Sequence, residues 1–314
     1  MVISRGLVSA GGTELHSYDL IPTCAKRIHE LNLSIVTPSF NQADFIEETI
    51  KSVFDQRCKV EYLVVDGGSN DVSVEVIQRY EPQLAYWVSE PDRGQVHAIS
   101  KGLERATGDI VAYLNSDDLY LPGAFAAVLD FFEENPAANW VCGDTILFGE
   151  GHPTELIKAR VPKSAADCLC WNYQAPQPGM FWRRSLLTDG FSERWNYCFD
   201  HEFYVRLLLT GQKCHHLDLP VAAYRLHGTS KTIADAAKFD LEFDAIADQY
   251  ETHLTGSERR WCRATRLLRQ SYAAAAANRR DALSGLFRTM LIHPESILHR
   301  PFWGCLRQAV RRAN

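Results

Sequence analysis

Four polar clusters each follow a short apolar run. Thr37-Pro38-Ser39 follows Leu33–Val36, and Asp66-Gly67-Gly68-Ser69 follows Tyr62–Val65. Glu90-Pro91-Asp92-Arg93 follows Leu84–Val88, and Asn115-Ser116-Asp117-Asp118 follows Ile110–Leu114. Hydroxyls, carboxylates, an amide and glycine turns are groups that hold a polar ligand. A single such cluster need only be a turn. Four of them after parallel strands converge on the sheet edge where α/β proteins bind ligands. No G-x-G-x-x-G follows the first strand, which argues against a nicotinamide dehydrogenase. Cys168-Leu-Cys170 offers half a metal site, but no second Cys/His pair at zinc spacing accompanies it. Nine cysteines, odd in number and scattered, fit reduced and mostly buried thiols better than a disulfide framework.

Positioning those clusters requires alternating strands and helices. The spacing predicts strands at 33–37, 62–65, 84–88 and 110–114. Helices are expected at 42–54 with Asn41 as cap, in a segment with Val72, Val76 and Ile77, and over 95–106, from the recurrence of Ile46, Ile50 and Val53 and of Val96, Ile99 and Leu103. This alternation predicts a mostly parallel central sheet flanked by helices, joined by right-handed connections. The middle of the chain is more mixed, with strands expected at 140–148, 176–182 and 221–226 and a helix at 200–209. From about Ile233 the chain reads as helix throughout, a C-terminal helical extension. Residues 1–31 lack clear periodicity and read as an irregular arm. The resulting division is an arm at 1–31, a catalytic domain at 32–232 and the extension at 233–314. Within the catalytic domain, 32–118 forms one half and 119–232 the other.

With 314 residues, 46% hydrophobic and 23% charged, the composition is that of a globular protein, and the net charge of −6 argues against a general nucleic-acid binder. No stretch approaches the roughly 20 apolar residues that span a bilayer. The first twenty residues make a poor signal peptide, so a cytoplasmic location is expected.

The residues also resemble family 2 glycosyltransferases, which have the GT-A nucleotide-diphospho-sugar transferase fold. The resemblance spans roughly residues 32–230. It is carried by Thr37-Pro38-Ser39-Phe40-Asn41-Gln42, Val65-Asp66-Gly67-Gly68-Ser69, Ser89–Gln95, Lys101-Gly102, Ala106-Thr107-Gly108-Asp109 and Leu114–Asp118. Further matches are Gln177-Pro178 with Phe181–Arg184, Asp200-His201-Glu202 with Arg206-Leu207, and Tyr224-Arg225-Leu226-His227.

The resemblance implies an inverting, metal-dependent transferase. Its donor would be a UDP-, GDP- or dTDP-sugar, and its acceptor a glycan or lipid-linked hydroxyl in cell-surface polysaccharide biosynthesis. Asn115-Ser116-Asp117 resembles the family's Asp-x-Asp motif. It places Asp117 at the metal-binding position, for magnesium or manganese, and puts an uncharged Asn115 where many members have aspartate. His227 resembles a late histidine that completes the metal shell; its plain alternative is a surface histidine. Asp200 resembles the catalytic base, with Glu202 in reserve, and could instead cap its helix. Thr37, Pro38, Ser39, Asn41, Asp66, Ser69, Asp92, Arg93, Gln95, Lys101, Asn115, Ser116 and Arg225 would bind the donor. Lys101 could equally be a helix-surface cation, and Arg225 a strand-edge salt bridge.

Arginines recur through 256–314, from Arg259-Arg260 to Arg311-Arg312, with Trp261, Phe287, Phe302 and Trp303 among them. Peripheral contact with the cytosolic face of a membrane is one reading. A helical cap with its arginines in water is the plainer one. Two other functions share the fold: a sugar-phosphate nucleotidyltransferase, which lacks support because the loop after the first strand has no Arg or Lys, and a non-catalytic sugar-nucleotide-binding module.

Overall fold

The computed structural model describes residues 5–10, 13–18, 29–56, 58–277 and 279–295, together with Trp303 and Leu306. Strands β1 (Arg5–Ala10) and β2 (Thr13–Tyr18) pair antiparallel, so the expected irregular arm contains a hairpin. The Gly11-Gly12 pair between them is the sequence signal for it.

The next elements alternate as expected: β3 (Leu33–Ser39), α1 (Ile46–Phe54), β4 (Val60–Asp66), α2 (Ser73–Tyr80), β5 (Tyr86–Ser89), α3 (Gln95–Arg105) and β6 (Ile110–Tyr113). Strands β5, β4, β3 and β6 lie side by side, all parallel. All seven residues of β3 are buried because helices cover both sheet faces. Leu33 and Ile35 pack with Ile46 and Ile50 of α1 and Ile77 of α2, whereas Val36 packs with Val96 and Ile99 of α3 on the other face. That two-residue alternation is the geometry of a strand. Gly102 lets α3 approach closely, since a Cβ there would lie 2.3 Å from Val36 Cγ1.

The second half is built from β7 (Leu119–Tyr120), α4 (Ala124–Glu134), β8 (Trp140–Gly149), β9 (His152–Ile157), α5 (Ala165–Leu169), β10 (Met180–Arg183), α6 (Phe199–Leu209) and β11 (Cys214–Leu226). Strand β10 joins this half to the first by pairing antiparallel with both β6 and β8. Beyond β8 come β11, parallel to it, and β7, antiparallel to β11, while β9 also pairs with β8.

Helices α7 (Lys231–Ala234), α8 (Ala236–Tyr250), α9 (Gly256–Ala277) and α10 (Arg279–Ile292) form the expected extension. It is docked on the second half: Phe243, Ile246 and Ala247 of α8 and Cys262 of α9 share a core with Phe199 and Phe203 of α6. Arg263 pairs with Glu251, Arg266 with Asp244 and Asp248, and Arg269 with Asp240 and Asp244. These arginines clamp the extension to itself rather than face a lipid. Arg300, Phe302, Arg307, Arg311 and Arg312 lie outside the described residues. Among the described residues, no helix is long and apolar enough to cross a membrane.

Candidate active site

The carboxyl ends of β3, β4, β5 and β6 bring the polar clusters together. Asp66, fully buried at the end of β4, organises that edge. Its Oδ2 accepts from the backbone N–H of Gly68 (3.0 Å) and Ser69 (2.8 Å) and from Ser89 Oγ (2.7 Å), and its Oδ1 accepts from Ser69 Oγ (2.5 Å). A buried carboxylate needs such donors to offset its lost hydration. Ser69 Oγ also accepts from Asn41 N–H at 2.8 Å, and Asn41 Oδ1 accepts from Asn70 N–H at 2.9 Å. Asn41 has a left-handed φ of 52°. It therefore ties two strand-end loops together and does not cap α1, which begins only at Ile46. A Cβ on Gly67 would come 2.7 Å from Asp92 Oδ2, so a larger residue there would displace the Asp92 carboxylate.

Several expected donor contacts face elsewhere. Thr37 is wholly buried, and its hydroxyl accepts from Tyr62 at 3.0 Å, so it braces the sheet and does not line a pocket. Ser39 Oγ, by contrast, is buried at the strand end with no partner among the described residues. Arg93 pairs with Glu193 (2.8 Å) and Lys101 with Glu90 (2.7 Å). Gln95 Nε2 donates to Asn115 Oδ1 at 2.7 Å, which links the start of α3 to the turn after β6.

That turn is held from behind. Thr49 Oγ1 of α1 sits 2.9 Å from the Ser116 carbonyl oxygen and 2.8 Å from that of Asp118. The two aspartates then diverge. Asp118 is fully buried and accepts from Arg225 N–H at 2.9 Å. Burial, and then the charge of Asp117, push its carboxyl well above the usual range. Asp117 faces outward, with Oδ2 3.0 Å from His227 Nε2. The other ring nitrogen of His227 lies 2.8 Å from Thr229 Oγ1, and the ring tilts against Phe45 at 4.5 Å, so the imidazole is aimed. Arg225 is a strut: Nε donates to the Asp117 carbonyl (2.8 Å), Nη2 pairs with Glu48 (2.5 Å), and the guanidinium lies over Phe148. The salt-bridge alternative for Arg225 therefore describes its geometry better than a free phosphate ligand does.

A carboxylate and an aimed imidazole 3.0 Å apart fit a divalent cation whose remaining positions come from phosphate and water. Two other groups bring three potential ligands together, His29–Asp130–Glu133 and Asp144–His216–Asp218, and neither includes a residue of this turn.

Asp200 lies in the first turn of α6, whose N-cap position is Cys198. It therefore does not cap the helix. Its Oδ1 accepts from His201 N–H at 2.7 Å, and among the described residues it has no cationic partner. Its surroundings are aromatic, with Tyr113, Phe191, Phe199 and Phe203 packed against one another. Burial raises its carboxyl to about 6, partly opposed by the His201 N–H. Glu202 is directed away and buried, bonded to Arg206 (3.2 Å) and Tyr250 Oη (2.5 Å). It braces α6 against α8. His201 is buried beside Phe243, bonded to Tyr173 Oη at 2.7 Å, and kept neutral by burial, its pKa lowered to about 3.

Tyr113, the last residue of β6, has its ring 5.9 Å from that of Phe199, the residue before Asp200. Asp200 and Asp118 both act electrostatically on its phenol. Gln177 Nε2 donates to the Tyr113 carbonyl at 2.8 Å, and its Oε1 lies 3.5 Å from Asn115 Nδ2. Sequence reasoning gave no role to Glu48, Thr49, Gln177 or Lys231. A buried threonine on an otherwise apolar helix face was the available signal for Thr49.

A parallel half sheet ending in polar turns, an acidic turn after β6 and a second carboxylate on α6 fit a GT-A glycosyltransferase architecture. The chain belongs to glycosyl transferase family 2, whose family model matches residues 34–191. An uncharacterised glycosyltransferase of Mycobacterium tuberculosis is 32% identical over 184 residues, covering 56% of this chain and 69% of that one. The Bacillus subtilis glycosyltransferase TuaG, named for teichuronic acid biosynthesis, is 34% identical over 127 residues, covering 39% and 50%. The fold is shared with S. aureus TarS residues 1–349, crystallised with UDP-GlcNAc (TM-score 0.61, 17% identity, 85% of this chain and 83% of that one). It is also shared with the Pyrobaculum calidifontis mannosyltransferase PcManGT, solved with GDP-Man and Mn2+ (TM-score 0.52, 20% identity, 94% and 89%).

Proposed function

We propose that this glycosyltransferase transfers a sugar, with inversion, from a nucleoside-diphosphate sugar to a hydroxyl of a surface glycan or its lipid-linked precursor. The observation that carries this reading is the Asp117–His227 pair, 3.0 Å apart, in the turn after β6, with the α6 helix that bears Asp200 packed on the end of the same strand through Phe199 and Tyr113, ring centroids 5.9 Å apart. On this reading the turn is the donor side of the site and Asp200 its acceptor side. In the reaction, the acceptor oxygen bonds to the anomeric carbon as the bond to the diphosphate breaks. Asp200 takes the hydroxyl proton, and the nucleoside diphosphate leaves. A carboxyl near 6 is matched to that task, being mostly ionised at neutral pH yet basic enough to accept a proton. Asp66, Ser69, Asn41 and Ser39 shape the nucleotide end, and Gln95 with Asn115 fixes the sugar end. Asp117 and His227 would hold a divalent cation, which supplies Lewis-acid stabilisation of the departing diphosphate.

The surface-glycan acceptor is supported by the TuaG likeness, and the nucleotide-sugar donor by the ligands of TarS and PcManGT. Work on the cytosolic face of a membrane would suit a lipid-linked acceptor, with the exposed Phe287, Met290 and Leu291 of α10 as the apolar contact.

Thermal unfolding in the presence of UDP-, GDP- and dTDP-sugars, with and without manganese, tests the donor class. One of them should raise Tm, and more so with the metal, because a ligand that binds the native state stabilises it. A chain unmoved by all of them at millimolar concentration would refute the proposal.

A further inference from the structure

We infer that Lys231, a residue beyond every motif of the donor site, supplies the protein's own positive charge to the donor diphosphate. The inference rests on the donor reading above and extends it. A diphosphate leaving group needs cations, and the donor edge holds four side-chain candidates. Three are already neutralised: Arg93 by Glu193, Lys101 by Glu90 and Arg225 by Glu48. Among the described residues, Lys231 alone of the four has no carboxylate at ion-pair distance.

Its position is fixed by uncharged groups. Lys231 Nζ donates to Gln95 Oε1 at 2.8 Å, and the same amide donates from Nε2 to Asn115 Oδ1 at 2.7 Å. Lys231 therefore stands one side chain away from the turn that carries Asp117. The ammonium also lies 5.7 Å from the centre of the Tyr197 ring. The chain leads there from the other direction too, since Lys231 opens α7 four residues after His227, which is bonded to Asp117. One short segment thus brings both the imidazole and the ammonium to the acidic turn. Lys231 is an exposed residue, yet desolvation by its neighbours lowers the ammonium's pKa, and Glu242, Asp235 and Asp92, which oppose that, act on it only at longer range. A cation held by an amide and a ring face, with no ion pair to break, can turn to a phosphate at little cost. An uncharged Asn115 is consistent with this, because an aspartate there would draw the Gln95–Lys231 pair toward itself.

The test separates charge from scaffolding. Wild type, Lys231→Gln, Lys231→Arg and Gln95→Glu are titrated calorimetrically, in manganese, with UDP, GDP and dTDP and with the matching nucleosides. Lys231→Gln is expected to weaken the bound diphosphate about 10- to 100-fold, the range of a lost hydrogen bond to a charged group, and to leave the nucleoside unchanged. Lys231→Arg should restore most of the affinity. Gln95→Glu should weaken the diphosphate as well, by pairing Lys231 while leaving it in place. Equal diphosphate binding by wild type and Lys231→Gln overturns the inference, as does an equal loss for nucleoside and diphosphate, which marks a structural pin. A wild-type chain that binds none of the three diphosphates removes the donor reading itself and this inference with it.

Discussion

The two sides of the proposed site are built from opposite materials. On the donor side, side chains are held by dense polar bonding: Asp66 accepts four hydrogen bonds, Asn41 joins two loops, and Arg225 braces the Asp117–Asp118 turn against Glu48. On the acceptor side, Asp200 is set among rings, with Phe191 against Phe199 and Phe203 and Trp182 against Tyr113. The polar lattice preorganises groups that must meet charge without moving. The aromatic setting destabilises the ionised carboxylate and so makes it a better base. One side fixes geometry and the other tunes basicity.

That contrast can be broken most severely at Asp117. Asp117→Ala removes the outward carboxylate but leaves Asp118 and Arg225 bonded to each other. Transfer, measured as nucleoside diphosphate release with manganese and acceptor, should fall about a thousandfold or more. Manganese should no longer add to the donor's Tm shift. Activity within tenfold of wild type would mean that the turn is only scaffolding.

Asp200→Asn tests the aromatic side. The loss of a positioned base should cost about 100- to 10,000-fold in kcat with little change in donor affinity. The wild-type rate should rise with pH through about 6 and then level off, because the ionised form is the active one; the variant should lack that limb. Stability should respond in the opposite sense. The folded-state pKa lies above the unfolded value, so the carboxyl's favourable contribution is complete below about 4 and is lost as pH rises through about 6. Asp200→Asn should therefore raise Tm relative to wild type at pH 7.5, and the difference should shrink toward pH 4. A lower Tm at pH 7.5 would contradict the assigned cause of the shift.

Glu202→Gln sharpens the comparison with the smallest effect on rate. Two residues along the same helix, this carboxylate ties Arg206 and Tyr250 together and lies away from Tyr113. The substitution should lower stability by about 2 kcal/mol in urea unfolding and leave kcat within about threefold. A collapse of kcat in a folded protein would return Glu202 to the role of base.

Much of the donor half was legible from residue order. Strands β3 to β6 and their helices follow from local periodicity, and a strand buried on both faces reads as a largely apolar run such as Leu33-Ser34-Ile35-Val36. The polar clusters had to lie at one edge because parallel strands put their carboxyl ends together. The second half was read less completely: β7, β9 and α5 carry weak local signals and are fixed by partners far along the chain, as where Leu119 and Tyr120 pair with β11, whereas α4, with Phe125, Val128, Leu129 and Phe132 at helical spacing, was legible in the sequence. The hairpin of β1 and β2 is signalled in the sequence only by the Gly11-Gly12 pair between two weakly patterned runs.

Roles divided in the same way. Sequence alone determined which side chains could bind a cation, a diphosphate or a proton, because ligand chemistry belongs to residue type. Only the tertiary structure decided which of them are available. Thr37 is turned into the core, Arg225 is engaged by Glu48, Glu202 points at α8, and Lys231, from a segment without a motif, comes to rest beside Gln95. The reason is that availability depends on pairing and burial. Those are set by contacts between residues 25 positions apart, as Thr37 with Tyr62, to 177 apart, as Arg225 with Glu48, that no local spacing records.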